Sequence, residues 1–409
     1  MRLDALAGTP ASSLSRKQQL DLERHEQVRT EYERKLNEEE GQYRMYKQIY
    51  SNLMFSLDTL RDLMGPGEIT IERLEALKSE DPVILFAKSA VRRALQSLDG
   101  QPIDTMLSSL REGYDYFRVQ VEYGLNKSFD PRPVVGDNYS DKRERLYGCA
   151  DVKGPDAEHG THVAGIIAGD RKNGIGIRGI ADNVRIMVIR AVPDGDERDK
   201  DIANAIYYAV DNGASVINMS FGKSLSPDKA IVDEAVRYAG KKGVLIVHAA
   251  GNDGEDNDLS SNFPSPDYVG GRSSKLWLEV GASSDGKSSG LVADFSNYGK
   301  NTVDVFAPGV NIFSTIPGGY KQNSGTSMAS PTVAGVAALL MSYFPGLSPE
   351  EVRDILVSSV RRFEGLEVQK PGSGDATSMT SLCRTGGVVS ALEAVKLAMK
   401  RRPAIPGPR

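Results

Sequence analysis

A chain of 409 residues, 40% apolar and 26% charged, is long enough to bury a sizeable core and has ordinary soluble composition. Its formal charge of −5 comes with no dominant basic run, which argues against nucleic acid and anionic membrane surfaces as partners. No apolar stretch approaches the roughly 18 residues of a membrane helix, the start MRLDALAGTPASS shows no apolar core of a secretory signal, and Cys149 and Cys383 are too few and too far apart to announce a disulfide framework or a zinc site.

From about Ser15 to Met64 the pattern is helical. Tyr43, Tyr46, Tyr50, Leu53, Leu57, Leu60 and Met64 alternate spacings of three and four, the seam of a heptad repeat. Upstream the same register lands on His25, Arg29 and Glu39, so the seam is interrupted and is expected to pack only locally. GPG at 65–67 ends the helix. Thr70 to Lys78 reads as a short helix, and Asp81-Pro82 supplies an N-cap and a first-turn proline for another through about Leu98. A further helical stretch covers roughly Ile103 to Tyr123, and FDPRPVVGDNY then marks a boundary near residue 130. Residues 1–130 are thus expected to form an all-helical segment.

Beyond the boundary, the apolar runs VRIMVIRAV, ASVINMSFG, GVLIVHAAG and LWLEVGAS alternate with the helical runs DIANAIYYAVDNG and KAIVDEAVRYAGKKG. Continuous apolar strands between helices predict an α/β domain over 131–400, with a buried parallel sheet covered on both faces. Near its end SPEEVRDILVSSV offers Ser348 as N-cap, Pro349 at the first helical position and Glu351 to close a capping box. Residues 401–409 read as a polar, proline-broken, disordered tail.

Three stretches carry chemistry. PDAEHGTHVAGIIAG, 155–169, places His159 at the opening of a small-residue helix, where an imidazole can act as a general base. NSGTSMASPTVAGVAALL puts Ser327 at another helix N-terminus, where backbone N–H groups and the dipole face a developing oxyanion, although a plain N-cap fits the same residue. Pro331 is expected to be tolerated there as part of the first turn. HAAGNDG ends a strand with Asn252, whose amide can donate to an oxyanion, although Gly-Asn-Asp-Gly is also an ordinary turn. His159 and His162 lie three apart, but no H-E-x-x-H spacing supports a metal site, and His162 and His248 read as packed core histidines.

The three segments occur in one chain in a fixed order, and HGTHVAG and GTSMASPTVAG are long motifs. They resemble the subtilisin-like serine peptidases. The resemblance, from roughly Val134 to Lys400, implies a doubly wound, mostly parallel sheet with the cleft at the carboxyl ends of its strands. It implies His159 as general base, Ser327 as nucleophile, Asn252 as oxyanion donor, and Ser220, Phe221 and Gly222 as an edge that binds a polypeptide substrate. The loop PDGDERDKD would form the opposite wall, where Asp194, Asp196, Glu197 and Asp199 either favour basic substrate side chains or are simply solvated. No cofactor is required; structural calcium is common in such peptidases, and no calcium loop is evident here. Export is expected by the same analogy.

Two further matches compete. GASSDGKS, 281–288, has the spacing of a phosphate-binding loop, and GKSSG, 286–290, that of a nucleophile elbow around Ser288. Both require a helix immediately after the motif, whereas SGLVADFSNYG reads as a loop and short strand.

The resemblance also exposes a departure. The family's aspartate precedes the histidine in a D-[ST]-G motif at the end of an apolar central strand, and residues 1–158 contain neither D-S-G nor D-T-G. Asp137, Asp141, Asp151 and Asp156 are the nearby acids, each in a polar, turn-rich stretch, and Asp156 is expected to help cap the following helix. The helical segment resembles the remainder of an insertion between the aspartate and histidine segments, with the acid's strand expected upstream of Met1. Two functions remain in play: an endopeptidase impaired by the absent acid, or an inactive scaffold whose helical half binds a protein partner.

Overall fold

A computed structural model of the chain describes residues 14–98, 100, 102–193, 197–286, 290–363 and 365–402. It divides into two compact units, Met1–Pro131 with Asp194–Asp196, and Arg132–Pro193 with Glu197–Arg409. Among the described residues no helix is long and apolar enough to cross a membrane.

The first unit is helical: α1 (Arg16–Met64), α2 (Ile71–Ala76), α3 (Pro82–Ser97) and α4 (Ile103–Val119), the last running into a π-helical turn at Gln120–Gly124. Ser15 and Gln18 close a capping box at the start of α1, and Gly65, at φ +68°, ends it. Thr70 and Asp81 cap α2 and α3 with their side chains. The heptad seam is the packed face of α1. Leu53, Leu57 and Leu60 are buried with Leu74, Ala87 and Val91, Tyr43 and Tyr50 stack on Tyr114 at 5.7 and 5.8 Å, and Tyr46 lies 5.2 Å from Phe117. Where the seam is interrupted, Tyr32 still donates to the Leu125 carbonyl at 2.6 Å, so contact with the rest of this unit reaches further upstream than the apolar pattern does.

The second unit begins with α5 (Arg132–Val135), α6 (Glu158–Ala168) and α7 (Asp199–Asp211), and continues through β1 (Val216–Met219), α8 (Lys229–Lys241), β2 (Leu245–Ala249), β3 (Trp277–Ser283) and β4 (Val305–Pro308). Then come the hairpin β5 (Ile312–Ile316) and β6 (Gly319–Asn323), α9 (Thr326–Tyr343), α10 (Pro349–Ser358) and β7 (Arg361–Arg362). β8 (Glu367–Gln369), β9 (Ala376–Ser378), α11 (Met379–Leu382), β10 (Gly387–Val388) and α12 (Ala391–Arg401) complete it. The main sheet has the order β1-β2-β3-β4-β10-β7, with β7 alone antiparallel. Side chains alternate across it as a strand's period of two requires. Leu245, Val247, Leu278 and Val280 pack against α9, α10 and α12 on one face. Ile246 and Trp277 pack against α7 and α8 on the other. The capping box at Ser348 and Glu351 opens α10.

One expected strand is not there. VRIMVIRAV, 184–192, is irregular, forms no backbone–backbone hydrogen bond with the described residues, and leaves Ile186, Met187, Val188 and Val192 exposed. β-propensity becomes a strand only when a neighbour completes the ladder. β1 ends the sheet on one side, and this run does not pair with it.

Candidate active site

Ser327 is the second residue of α9, so its N–H is one of the first-turn donors that have no intrahelical partner. Its Oγ donates to the Ser220 carbonyl at 3.1 Å, and the Ser220 hydroxyl in turn donates to the Ser327 carbonyl at 2.9 Å. The second bond corrects the expectation for Pro331, which lies inside the helix and beyond its first turn. A residue with an N–H at position 331 would donate to the carbonyl four residues back, that of Ser327; proline leaves this acceptor free and Ser220 fills it. Asn218 Nδ2 donates to Ser220 Oγ at 2.9 Å, and Ser330 Oγ donates to Asn218 Oδ1 at 2.6 Å, which fixes the amide that holds the hydroxyl.

Asn252 follows the carboxyl end of β2. Its Oδ1 accepts from the Thr326 N–H at 2.8 Å and the Thr326 hydroxyl at 2.9 Å, which orients the amide and leaves Nδ2 without a partner among the described residues. A methyl group added at Gly325 would lie 3.6 Å from both Asn252 Nδ2 and Ser327 N. Two unpartnered donors therefore border one small space above Gly325, the arrangement that binds a developing oxyanion. Thr326 escaped the sequence reading; its place between Gly325 and Ser327 was the available signal.

The expected substrate edge is ordered by the chain beside it. Lys223 and Phe263 form an antiparallel bridge, Gly222 lies against the Asn262 side chain so closely that a Cβ would fall 2.2 Å from its Oδ1, and Phe221 meets His248 edge-on at 6.3 Å. Behind Phe221, His248 Nδ1 sits 2.9 Å from Glu279, which also accepts from the Trp277 indole at 2.8 Å. Complete burial pushes the Glu279 carboxyl up despite these partners. His162 is buried as expected, its Nε2 within 3.0 and 3.1 Å of the Ile312 and Lys321 carbonyls, tying α6 to the β5–β6 hairpin.

His159 stands on the first turn of α6, which packs against α9 and β5. It reaches solvent, and its ring forms no hydrogen bond or ion pair with the described residues. Desolvation by the protein around the ring, and then the neighbouring His162, lower its pKa below the ordinary imidazole value. None of the four nearby acids hydrogen-bonds to it. Asp156 accepts from Glu158 N at 2.7 Å and so supports the start of α6, and Asp141 accepts from Arg143 N at 2.9 Å. Asp151 accepts from Lys153 N at 2.9 Å and Gly154 N at 3.1 Å. Asp137 is buried between Arg132, at 2.6 Å, and Lys200, at 3.0 Å.

The acidic loop divides. Asp194 and Asp196 lie outside the described residues; the Glu197 carbonyl accepts from Lys223. Asp199 is neither solvated nor open to a substrate. It is buried and accepts from Ser226 Oγ at 2.9 Å and Asp228 N at 2.7 Å, with Lys223 3.1 Å away. Of the two competing motifs, residues 287–289 also lie outside the described set. Residues 281–283 finish β3, and Val292 returns to bridge Ser283 antiparallel, so among the described residues no helix opens there.

A family model of the subtilases, peptidase S8, matches residues 107–380. The chain is 44% identical over 209 residues to a thermophilic serine proteinase of a Bacillus species, covering 51% of this chain and 48% of that protein. It is 36% identical over 239 residues to thermitase of Thermoactinomyces vulgaris, covering 56% and 79%, respectively. It is 36% identical over 293 residues to an extracellular basic protease of Dichelobacter nodosus, covering 64% and 45%. The chain thus spans about half the length of the first and last of these relatives.

Proposed function

The chain belongs to the subtilase family, and from that premise we propose that it is a serine endopeptidase whose turnover is low because no carboxylate among the described residues orients its base. Ser327 attacks the carbonyl of a bound peptide bond while His159 takes its proton; the tetrahedral oxyanion settles between Asn252 Nδ2 and Ser327 N. His159 then protonates the leaving amine, and water repeats the sequence on the acyl-enzyme. The peptide lies extended along Ser220, Phe221 and Gly222 as an added strand. Neither a metal nor an organic cofactor enters these steps. The observation that carries the reading is the pair of unpartnered donors within 3.6 Å of one point above Gly325. Export fits the relative named as extracellular.

Impairment is supported from two sides. The Ser327 hydroxyl points its proton at the Ser220 carbonyl, and all four nearby acids are held by other partners. One account also covers the unpaired run 184–192 and the open side of β1: the sheet is short of one strand, and the acid of this family sits at the end of such a strand. Losing that acid costs about 10⁴-fold in turnover, a magnitude measured on subtilisin itself. The same observations favour inactivity in a second reading, a scaffold whose helical unit would bind a protein partner.

A fluorophosphonate probe with mass-spectrometric site mapping separates the two. Slow modification of Ser327, abolished in Ser327→Ala and slowed further in His159→Ala, is the expected result. Modification as fast as in an intact subtilisin would refute impairment, and none at Ser327 would favour the scaffold.

A further inference from the structure

The stretch 281–299, which mimics a phosphate loop and a nucleophile elbow and is neither, ends in Phe295-Ser296-Asn297-Tyr298. These four residues run beside the turn that carries Asn252. That turn, Gly251 to Asn257, contains two glycines of positive φ, and its backbone groups pair outward. Gly254 N donates to Phe295 O at 2.8 Å, Asn257 N to Tyr298 O at 2.7 Å, Tyr298 N to Glu255 O at 3.0 Å and Asn297 N to Gly251 O at 2.9 Å.

The Asn297 side chain occupies the middle of this frame and is 4% exposed. Its Oδ1 accepts from both Asp253 N, at 2.9 Å, and Glu255 N, at 3.0 Å. Its Nδ2 donates to Asn257 Oδ1 at 3.2 Å, and Asn257 Nδ2 returns to Ala250 O, the residue after β2, at 2.8 Å. Asn297 Nδ2 would fall 2.4 Å from a Cβ on Gly251, which at φ +107° is a position only glycine fills comfortably. Ser296 Oγ accepts from Ala282 N at 2.9 Å and donates to Asn297 O at 2.8 Å, fastening the frame to β3.

We infer that Asn297 is a positioning residue for the oxyanion donor: it fixes the Gly251–Glu255 turn so that Asn252 presents Nδ2 beside Ser327 N. The inference rests on the peptidase reading. It commits the side chain to transition-state binding and not to substrate affinity, because among the described residues the Asn297 side chain bonds to the turn alone and the substrate edge lies on a separate segment.

The test is a cycle of Asn252→Ala, Asn297→Ala and the double variant, read as the rate of fluorophosphonate attachment to Ser327 and its split into affinity and maximal rate. Removing one oxyanion donor lowers rates by about 10²–10³-fold. Asn297→Ala is expected to lower the maximal rate by about tenfold or more with unchanged affinity, and the double variant to match Asn252→Ala. A double variant slowed by the product of the single effects, or Asn297→Ala at the parental rate, overturns the assignment. If Asn297→Ala does not fold, Asn297→Asp, which keeps both acceptor contacts and loses the donation to Asn257, carries the same cycle. Amide hydrogen exchange over 251–257 in the Asn297 variant supplies a readout independent of chemistry. Exchange faster there, with β2 still protected, is required; unchanged exchange overturns the inference. A parent chain that never modifies Ser327 defeats the peptidase reading, while the exchange result still decides whether Asn297 holds the turn.

Discussion

Ser220→Ala tests whether a side chain stands in for the N–H that Pro331 lacks. The substitution removes the 2.9 Å donor to the Ser327 carbonyl and the acceptor that holds Asn218 Nδ2 at 2.9 Å. An unmet, partly buried polar group costs about 1–3 kcal/mol, so Ser220→Ala is expected to destabilise by about 1–2 kcal/mol. Pro331→Ala restores an N–H that can reach the Ser327 carbonyl in ordinary helical geometry. Its own cost, from a more flexible unfolded chain, is about 0.4–1 kcal/mol. In the Pro331→Ala background the loss of Ser220 should therefore hurt less, with a coupling energy of about 1 kcal/mol between the two sites. Urea unfolding followed by fluorescence of Trp277 is the assay, since the chain's single tryptophan lies buried in β3 and reports the second unit alone. Equal costs of Ser220→Ala in both backgrounds would refute the substitution of one donor by another, as would a cost below about 0.3 kcal/mol.

Two other outcomes follow from the charges. His159 acts as a base only when neutral, and desolvation and His162 lower its pKa, so Ser327 modification should rise with pH along a limb centred below about 6.5; a midpoint above 7 contradicts this. Lys200 is 1% exposed, contacts Asp137 at 3.0 Å and Glu144 at 2.9 Å, and donates to Asn138 O at 2.8 Å. Lys200→Met should cost about 3 kcal/mol, because it takes one of two cations from the buried Asp137 carboxylate, which keeps Arg132. Burial opposes ionisation of Asp137, but the bonds from Lys200 and Arg132 outweigh it and hold the carboxyl low. The parent's stability from this group is thus present above the unfolded-state pKa and lost as pH falls through the folded one. A Lys200→Met variant whose unfolding keeps the same acid dependence would contradict that role.

Local signals survived into the structure where the cause was local. The capping box at Ser348, the Asp81 cap and the stop at Gly65 each depend on a few neighbouring residues, and each formed where the pattern placed it. The heptad seam of α1 was legible because one helix face repeats every few residues; its partners Tyr114 and Phe117, far along the chain, were not. What failed was pairing. An apolar alternating run cannot say whether another strand lies beside it, so 184–192 read like a strand and is irregular. Nor does spacing reveal partners: Thr326 and Asn297 meet the Asn252 turn across more than 40 residues of sequence.

The site's two halves differ for the same reason. The oxyanion half draws on the Asn252 turn and the start of α9, both fastened to the parallel sheet, with Asn252 anchored through Thr326 and its turn through Asn297. The base half draws on α6, which is tied to the β5–β6 hairpin through His162, while the run 184–192 makes no backbone–backbone hydrogen bond with the described residues. An oxyanion site needs donors fixed in space and no further group, whereas a histidine base also needs its tautomer and tilt set from behind. On the proposed reading Asn252 Nδ2 and Ser327 N would meet the first requirement, and no described residue bonds to His159 to meet the second. Reactivity at Ser327 should therefore depend more on Asn252 than on His159, the reverse of an enzyme with an oriented base, where losing the histidine is the more damaging change. Probe attachment slowed more by His159→Ala than by Asn252→Ala would show that His159 is held by a partner after all.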